Sequence, residues 1–162
     1  APALRESPIP FLFAGASQTG LSDFKKVVFP VDLRPRNSEA IKWILYFGKY
    51  NQSEIIAVGA NDRYASNRQL VGRNLALLKK MLQRYGVGHR IVRGTQNSLG
   101  INRESLHAAR ETGAGMLVLL GSSAITFLDY LLGLPEAKIV SEARGLPVLI
   151  VNPRRETYLV CE

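Results

Sequence analysis

The sequence predicts an α/β domain built on a doubly wound, five-stranded parallel sheet in the order 3-2-1-4-5. Three observations predict it. Short apolar runs alternate with helical patterns from Lys26 onward, in the order βαβαβαβαβ. The runs are almost unbroken Val, Ile and Leu, which is the pattern of strands buried on both faces. Right-handed crossovers then leave few arrangements, and ligands in such sheets bind at the carboxyl ends of the strands where the winding reverses.

The first strand is "KVVFPVD" (26–32). The helix "NSEAIKWILYFGKY" follows, with Ile41, Ile44, Leu45 and Gly48 on one face and Asn37 or Ser38 as its N-cap. "EIIAVGA" (54–60) is the second strand. In "NRQLVGRNLALLKKMLQRYG", Val71, Leu75, Leu78, Leu82 and Tyr85 form a stripe that ends at a capping Gly86. "HRIVRG" is shorter and more polar, as suits an edge strand. A helix from Glu104 leads into "MLVLLG" (116–121), a broken helical region runs over 125–144, and "PVLIVN" (147–152) closes the series. Winding reverses between strands 1 and 4, so Asp32 and Gly121 are expected to face each other.

At 162 residues the chain has the length of one domain and can bury a core without disulfides or metal. No apolar stretch approaches the roughly 18 residues of a spanning helix, so no membrane is expected. The single cysteine, Cys161, excludes an intramolecular disulfide and a Cys-based zinc site; a cytoplasmic setting is expected. The formal charge of +8 favours polyanions in general. Aromatics do not interleave with the Lys and Arg residues as stacking on bases requires, so nucleic acid is not an expected partner.

Two apolar segments echo each other: "IPFLFA" (9–14) and "LPVLIV" (146–151). The last strand, with Val148, Leu149, Ile150 and Val151, is a flat uncharged edge that invites a partner strand. Antiparallel pairing with residues 11–14 is expected, within one chain or between two. The aromatic residues Trp43, Phe47 and Tyr50 form a second stripe on the first helix, suited to packing against a neighbouring domain. The tail "TYLVCE" is apolar without an evident destination.

Catalytic patterns are missing. The first strand is followed by neither a Walker A loop nor Gly-x-Gly-x-x-Gly. Ser122 in "LGSSA" lacks the second glycine of a nucleophile elbow, and neither His89 nor His107 has a carboxylate pair beside it. No catalytic residue, no metal and no enzymatic activity are assigned; a hydrolase or transferase using Ser122 is the weakest reading.

"VVFPVD", "GMLVLLGSS" and "LLGLPEAKIVSEARGLPVLIVNP" together resemble a universal stress protein domain over about residues 24–155, and specifically the C-terminal half of a tandem one. The resemblance implies the adenine nucleotide alpha hydrolase-like fold. It divides the chain into a strand remnant and linker (1–23), the domain (24–155) and a tail (156–162). It also implies pairing through the last strand, with a second copy as a homodimer or with a preceding homologous domain as a pseudo-dimer.

One branch of the family binds ATP through Gly-x-x-Gly, nine residues, then Gly-Ser/Thr. Here Gly121 fills the first position, Ala124 stands at the second, eight residues precede Gly133, and Leu134 replaces the hydroxyl. Ala124 adds a Cβ where backbone meets phosphate. Pro135 removes an N–H, and Glu136 brings negative charge to the helix start. The site that the resemblance implies comprises Val31, Asp32, Gly121, Ser122, Ser123 and Gly133, with Asp32 holding a ribose or adenine amine. ATP or AMP is expected to bind weakly at most. The implied function is a non-enzymatic regulatory or interaction module of the stress response with a degenerate nucleotide site. The alternative is an ATP/AMP-binding switch with weak or slow hydrolysis.

Overall fold

The computed structural model describes residues 9–14, 23–35, 37–121 and 135–152. Strands are β1 (Phe11–Phe13), β2 (Lys26–Val31), β3 (Glu54–Gly59), β4 (His89–Arg93), β5 (Met116–Leu120) and β6 (Val148–Val151). Helices are α1 (Asn37–Tyr50), α2 (Ala65–Arg84), α3 (Ile101–Glu111) and α4 (Pro135–Glu142). The α/β class is as the sequence predicts. The sheet itself has six strands rather than five and is mixed, running β1-β6-β5-β2-β3-β4. The five strands from β2 onward pair in parallel, while β1 lies antiparallel on β6.

Each central strand feeds two cores. Val27, Phe29 and Val31 of β2 pack with Ile44 of α1 and Leu78 and Leu82 of α2. Val28, Leu117 and Leu119 turn the other way, toward Ile101 and Leu106 of α3 and Ile139 of α4. Strand side chains alternate between faces, so a strand covered on both sides must be apolar at every position. "VVF" and "MLVLL" meet that demand.

Helix α1 shows how close the layers are: a Cβ on Gly48 would overlap Val87. Its outer side differs from the expected stripe. Phe47 turns inward, its ring edge-on to Phe24 at 6.0 Å, and Tyr46 instead joins exposed Trp43 and Tyr50. Helix α2 ends at Gly86, whose φ of +65° is the left-handed geometry the sequence assigns to it. Tyr85 is exposed there rather than continuing the buried stripe. Helix α3 starts at Ile101, three residues before the expected Glu104. The Asn97 side chain accepts the Leu99 and Gly100 N–H groups and turns the chain into the helix early.

The expected pairing of the N-terminal segment is present within the chain, with Phe11, Leu12 and Phe13 opposite Ile150, Leu149 and Val148. The N–H groups of Leu117 and Gly121 in and after β5 donate to the carbonyls of Pro147 and Val151. Odd-numbered residues of β6 therefore bond to β5, and Val148 and Ile150 point their backbone groups at β1. Deleting residues 1–14 should strip hydrogen-exchange protection from the Val148 and Ile150 amides and leave Leu149 and Val151 protected. Equal loss at all four amides would show that β1 holds the whole strand rather than one edge of it.

Candidate functional site

The carboxyl ends of β2 and β5 adjoin in the sheet, and the winding reverses between them. The polar residues that follow the strands converge here around a cavity of about 410 Å³, lined by Asp32, Arg34, Asp62, Ser98, Asn102 and Glu136 among others. Strand ends are where polar groups must gather, because Val27 to Val31 of β2 and Met116 to Leu120 of β5 are apolar throughout.

Asp32 directly follows β2. It is 3% exposed, although a carboxylate at a strand end ordinarily meets solvent. Burial of that depth requires a partner for the charge, and Arg34 provides it. The Arg34 backbone N–H donates to Asp32 Oδ1 at 2.9 Å, closing a turn, while Nε and Nη2 reach Oδ2 at 2.7 and 2.6 Å. The third guanidinium nitrogen, Nη1, donates to the carbonyls of Leu120 and Gly121 at 2.9 and 3.3 Å. Asp32 and Gly121 thus do not face each other across open space. Arg34 lies between them and ties the end of β2 to the end of β5.

The other expected residues are placed as follows. Val31 is buried, paired with Gly59, and its carbonyl accepts the Ala60 N–H at 2.9 Å. Gly121 donates its N–H to Val151 at 2.8 Å, and a Cβ there would strike Asn152 Oδ1. A larger residue at 121 would have to displace the Asn152 side chain. Ser122, Ser123 and Gly133 lie outside the described residues, as do Ala124, Leu134 and Cys161. Val148, Leu149, Ile150 and Val151 form β6, which is buried throughout.

Four residues that the sequence reading did not single out complete the crevice. Ser98 donates its hydroxyl to buried Asp62 at 2.6 Å and accepts the Leu33 N–H at 3.2 Å, joining the loops after β2, β3 and β4. Asn74 of α2 donates to the carbonyls of Asp32 and Arg34. Glu104 holds the loop that carries Ser98, accepting the N–H groups of Thr95 and Gln96 and the Thr95 hydroxyl at 2.9–3.1 Å. Partial burial pushes the Glu104 carboxyl up, but these donors outweigh it and hold the group below the ordinary glutamate range. The only advance signal is that Asp32, Arg34 and Asp62 are charges standing within three residues of a strand's end.

Chemically the crevice is rich in acceptors. Asp62 and Glu136 are buried on its wall beside the Asp32–Arg34 pair, and Asn102 Oδ1 is a buried acceptor without a partner. Among the described residues no group of His, Cys, Asp and Glu forms a metal site. No helix of the described residues is long and apolar enough to cross a membrane.

Such a domain belongs to the class of doubly wound α/β folds with a crevice at the winding reversal. No protein-family model matches the chain, and no curated protein matches it. Solved structures do. A universal stress protein from Burkholderia pseudomallei superposes with a TM-score of 0.55 at 21% identity, over 82% of this chain and 98% of that one. One from Archaeoglobus fulgidus gives 0.64 at 16% identity, covering 93% of this chain, which spans 52% of that protein's length. A universal stress protein in complex with cAMP gives 0.59 at 20% identity, over 81% of this chain and 98% of that one. The fold is that of universal stress protein structures, in agreement with the resemblance read from the sequence.

Three outcomes are expected. Asp32→Ala leaves Arg34 without its carboxylate, and should cost about 2 kcal/mol by chemical denaturation, from charge-assisted hydrogen bonds discounted because Arg34 can turn to water. Leu119→Ala, in the fully buried centre of β5, should cost about 2–5 kcal/mol. Because its folded carboxyl titrates below the unfolded one, Glu104 stabilises the fold at neutral pH. That contribution disappears as pH falls through the folded value. Glu104→Gln should therefore be less stable by about 1 kcal/mol at pH 7, with the gap to the wild type closing in acid, as pH falls below the ordinary glutamate range. A gap that persists in acid would assign the effect to packing.

Proposed function

We propose that this chain is a universal stress protein domain acting as a non-enzymatic regulatory or interaction module, with a crevice that does not hold a nucleoside triphosphate. The observation that carries this reading is the engagement of Arg34. Its Nε and Nη2 are spent on Asp32 and its Nη1 on two strand-end carbonyls. The carboxylate suited to a ribose is thus occupied, and the Arg34 guanidinium is committed to holding the two strand ends. Buried Asp62 and Glu136 on the same wall oppose phosphate oxygens. Glu136 also sits in the first turn of α4, where negative charge already satisfies the helix end that an anion would use.

Pairing through the sheet edge belongs to the same proposal. Strand β1 lies antiparallel on β6 where a strand of a second copy or of a preceding homologous domain would lie. The Archaeoglobus structure, about twice as long, matches 93% of this chain, which supports a partner of similar fold.

A second reading, a nucleotide-binding switch, is favoured by one observation: a structure of this fold is in complex with cAMP. That ligand carries one negative charge and makes a smaller demand on an acceptor-rich wall than ATP does.

Calorimetric titration separates the two. Mg-ATP should bind no tighter than roughly 100 μM, about 5.5 kcal/mol, and AMP and cAMP should do no better. A low-micromolar isotherm for ATP overturns the proposal; one for AMP or cAMP alone establishes the second reading.

A further inference from the structure

Residues 63–103 contain nine of the chain's twenty-one Lys and Arg residues and none of its thirteen Asp and Glu residues. The rest of the chain, with twelve basic and thirteen acidic residues, is close to neutral. The whole net charge of +8 therefore belongs to one stretch, which forms α2, β4, the loop beyond them and the first turn of α3. Arg73, Lys79, Lys80 and Arg84 on α2 are exposed and meet no carboxylate among the described residues.

Two further features coincide with this charge. Strand β4 ends the sheet on this side. The Gly88 carbonyl accepts the Ile55 N–H and the Gly94 N–H donates to Gly59, so even-numbered residues bond to β3. The backbone groups of Ile91 and Arg93 then point outward from the edge. Between β4 and α2 runs a groove of about 300 Å³, with Val71, Leu75, Ile91 and Val92 as its apolar floor and Arg68 and Arg93 at its rim. Gly72 opens onto it, and a Cβ there would meet nothing within 4 Å.

We infer that this flank binds an extended segment of a partner protein in which acidic and apolar residues alternate. Added to the edge of β4, such a strand satisfies the outward backbone groups, lays its apolar side chains on the groove face beside Ile91 and turns its carboxylates to the opposite face, where Arg90 stands. Arg90 already pairs with Glu54 at 2.7 Å in an exposed bridge, which a second carboxylate can share. Each alternative occupant wastes one of the three features. A second copy would bring its own Arg90 and Arg93 against these, and like charges on neighbouring strands repel. Nucleic acid gains nothing from an apolar floor, and a flat anionic bilayer uses neither the groove nor the strand edge. The inference deepens the interaction-module reading by naming a partner's chemistry, but it does not rest on the state of the crevice.

The test uses the full chain and a fluorescein-labelled peptide alternating Glu and Val, followed by fluorescence anisotropy. Controls are the Lys-Val peptide, a Glu-Val peptide with a central Pro, phosphatidylserine–phosphatidylcholine vesicles and oligothymidylate. Saturable binding of the Glu-Val peptide alone is expected, with new hydrogen-exchange protection at the Ile91 and Arg93 amides. Gly72→Leu fills the groove at a helical position with open space, so the fold should be retained and its melting temperature unchanged or raised. It should weaken binding at least about tenfold, as should Arg90→Glu, which reverses the charge on the carboxylate face. Absence of saturable binding overturns the inference. So does binding that Gly72→Leu leaves intact, or equal affinity for vesicles or oligothymidylate, which would reduce the flank to a general polyanion surface. A null result here leaves the nucleotide titration unaffected, so the two readings fail separately.

Discussion

A parallel sheet with wholly apolar central strands leaves one place for polar groups to converge, the carboxyl ends of those strands, and Arg34 occupies it. Its guanidinium neutralises Asp32 and binds the last carbonyls of β5, so one side chain closes the seam between the two halves of the winding. The loops arrange themselves around that seam. Asn74 holds the backbone of Asp32 and Arg34, and the Asp62–Ser98–Leu33 chain ties in the two outer strands. The crevice is thus a set of cross-braces between strand ends, and a ligand would have to compete with them.

The sheet was legible because its causes are local and repetitive. Val27 to Val31 and Met116 to Leu120 are apolar at every position, a pattern that two-sided burial demands and that few other environments tolerate. The pairing of β1 with β6 was legible for another reason: "PFLF" and "PVLI" are both flat apolar segments entered through proline, and an edge without charge needs a cover.

The crevice was less legible because its bonds are not periodic. Asp32 read alone is a solvated strand-end acid; its burial depends on Arg34 two residues later and on carbonyls 86 and 87 residues away. Asp62 and Ser98 meet only because three loops meet, and no spacing announces it. The start of α3 was missed for a smaller reason. The Asn97 side chain turns the chain well before Glu104, so the helix claims Ile101 and buries it.

The division of charge gives the molecule a direction. With cations gathered on α2 and β4 and a nearly neutral remainder, positive charge is displaced toward the β4 end of the sheet. In the field of an acidic body it would rotate before contact, so that encounters begin with the β4 end foremost. The β1 end, at the opposite extreme of the same sheet, then faces away. The two ends of the sheet thus differ in kind: one carries charge that is felt at a distance, and the other, short and uncharged, is felt only on contact.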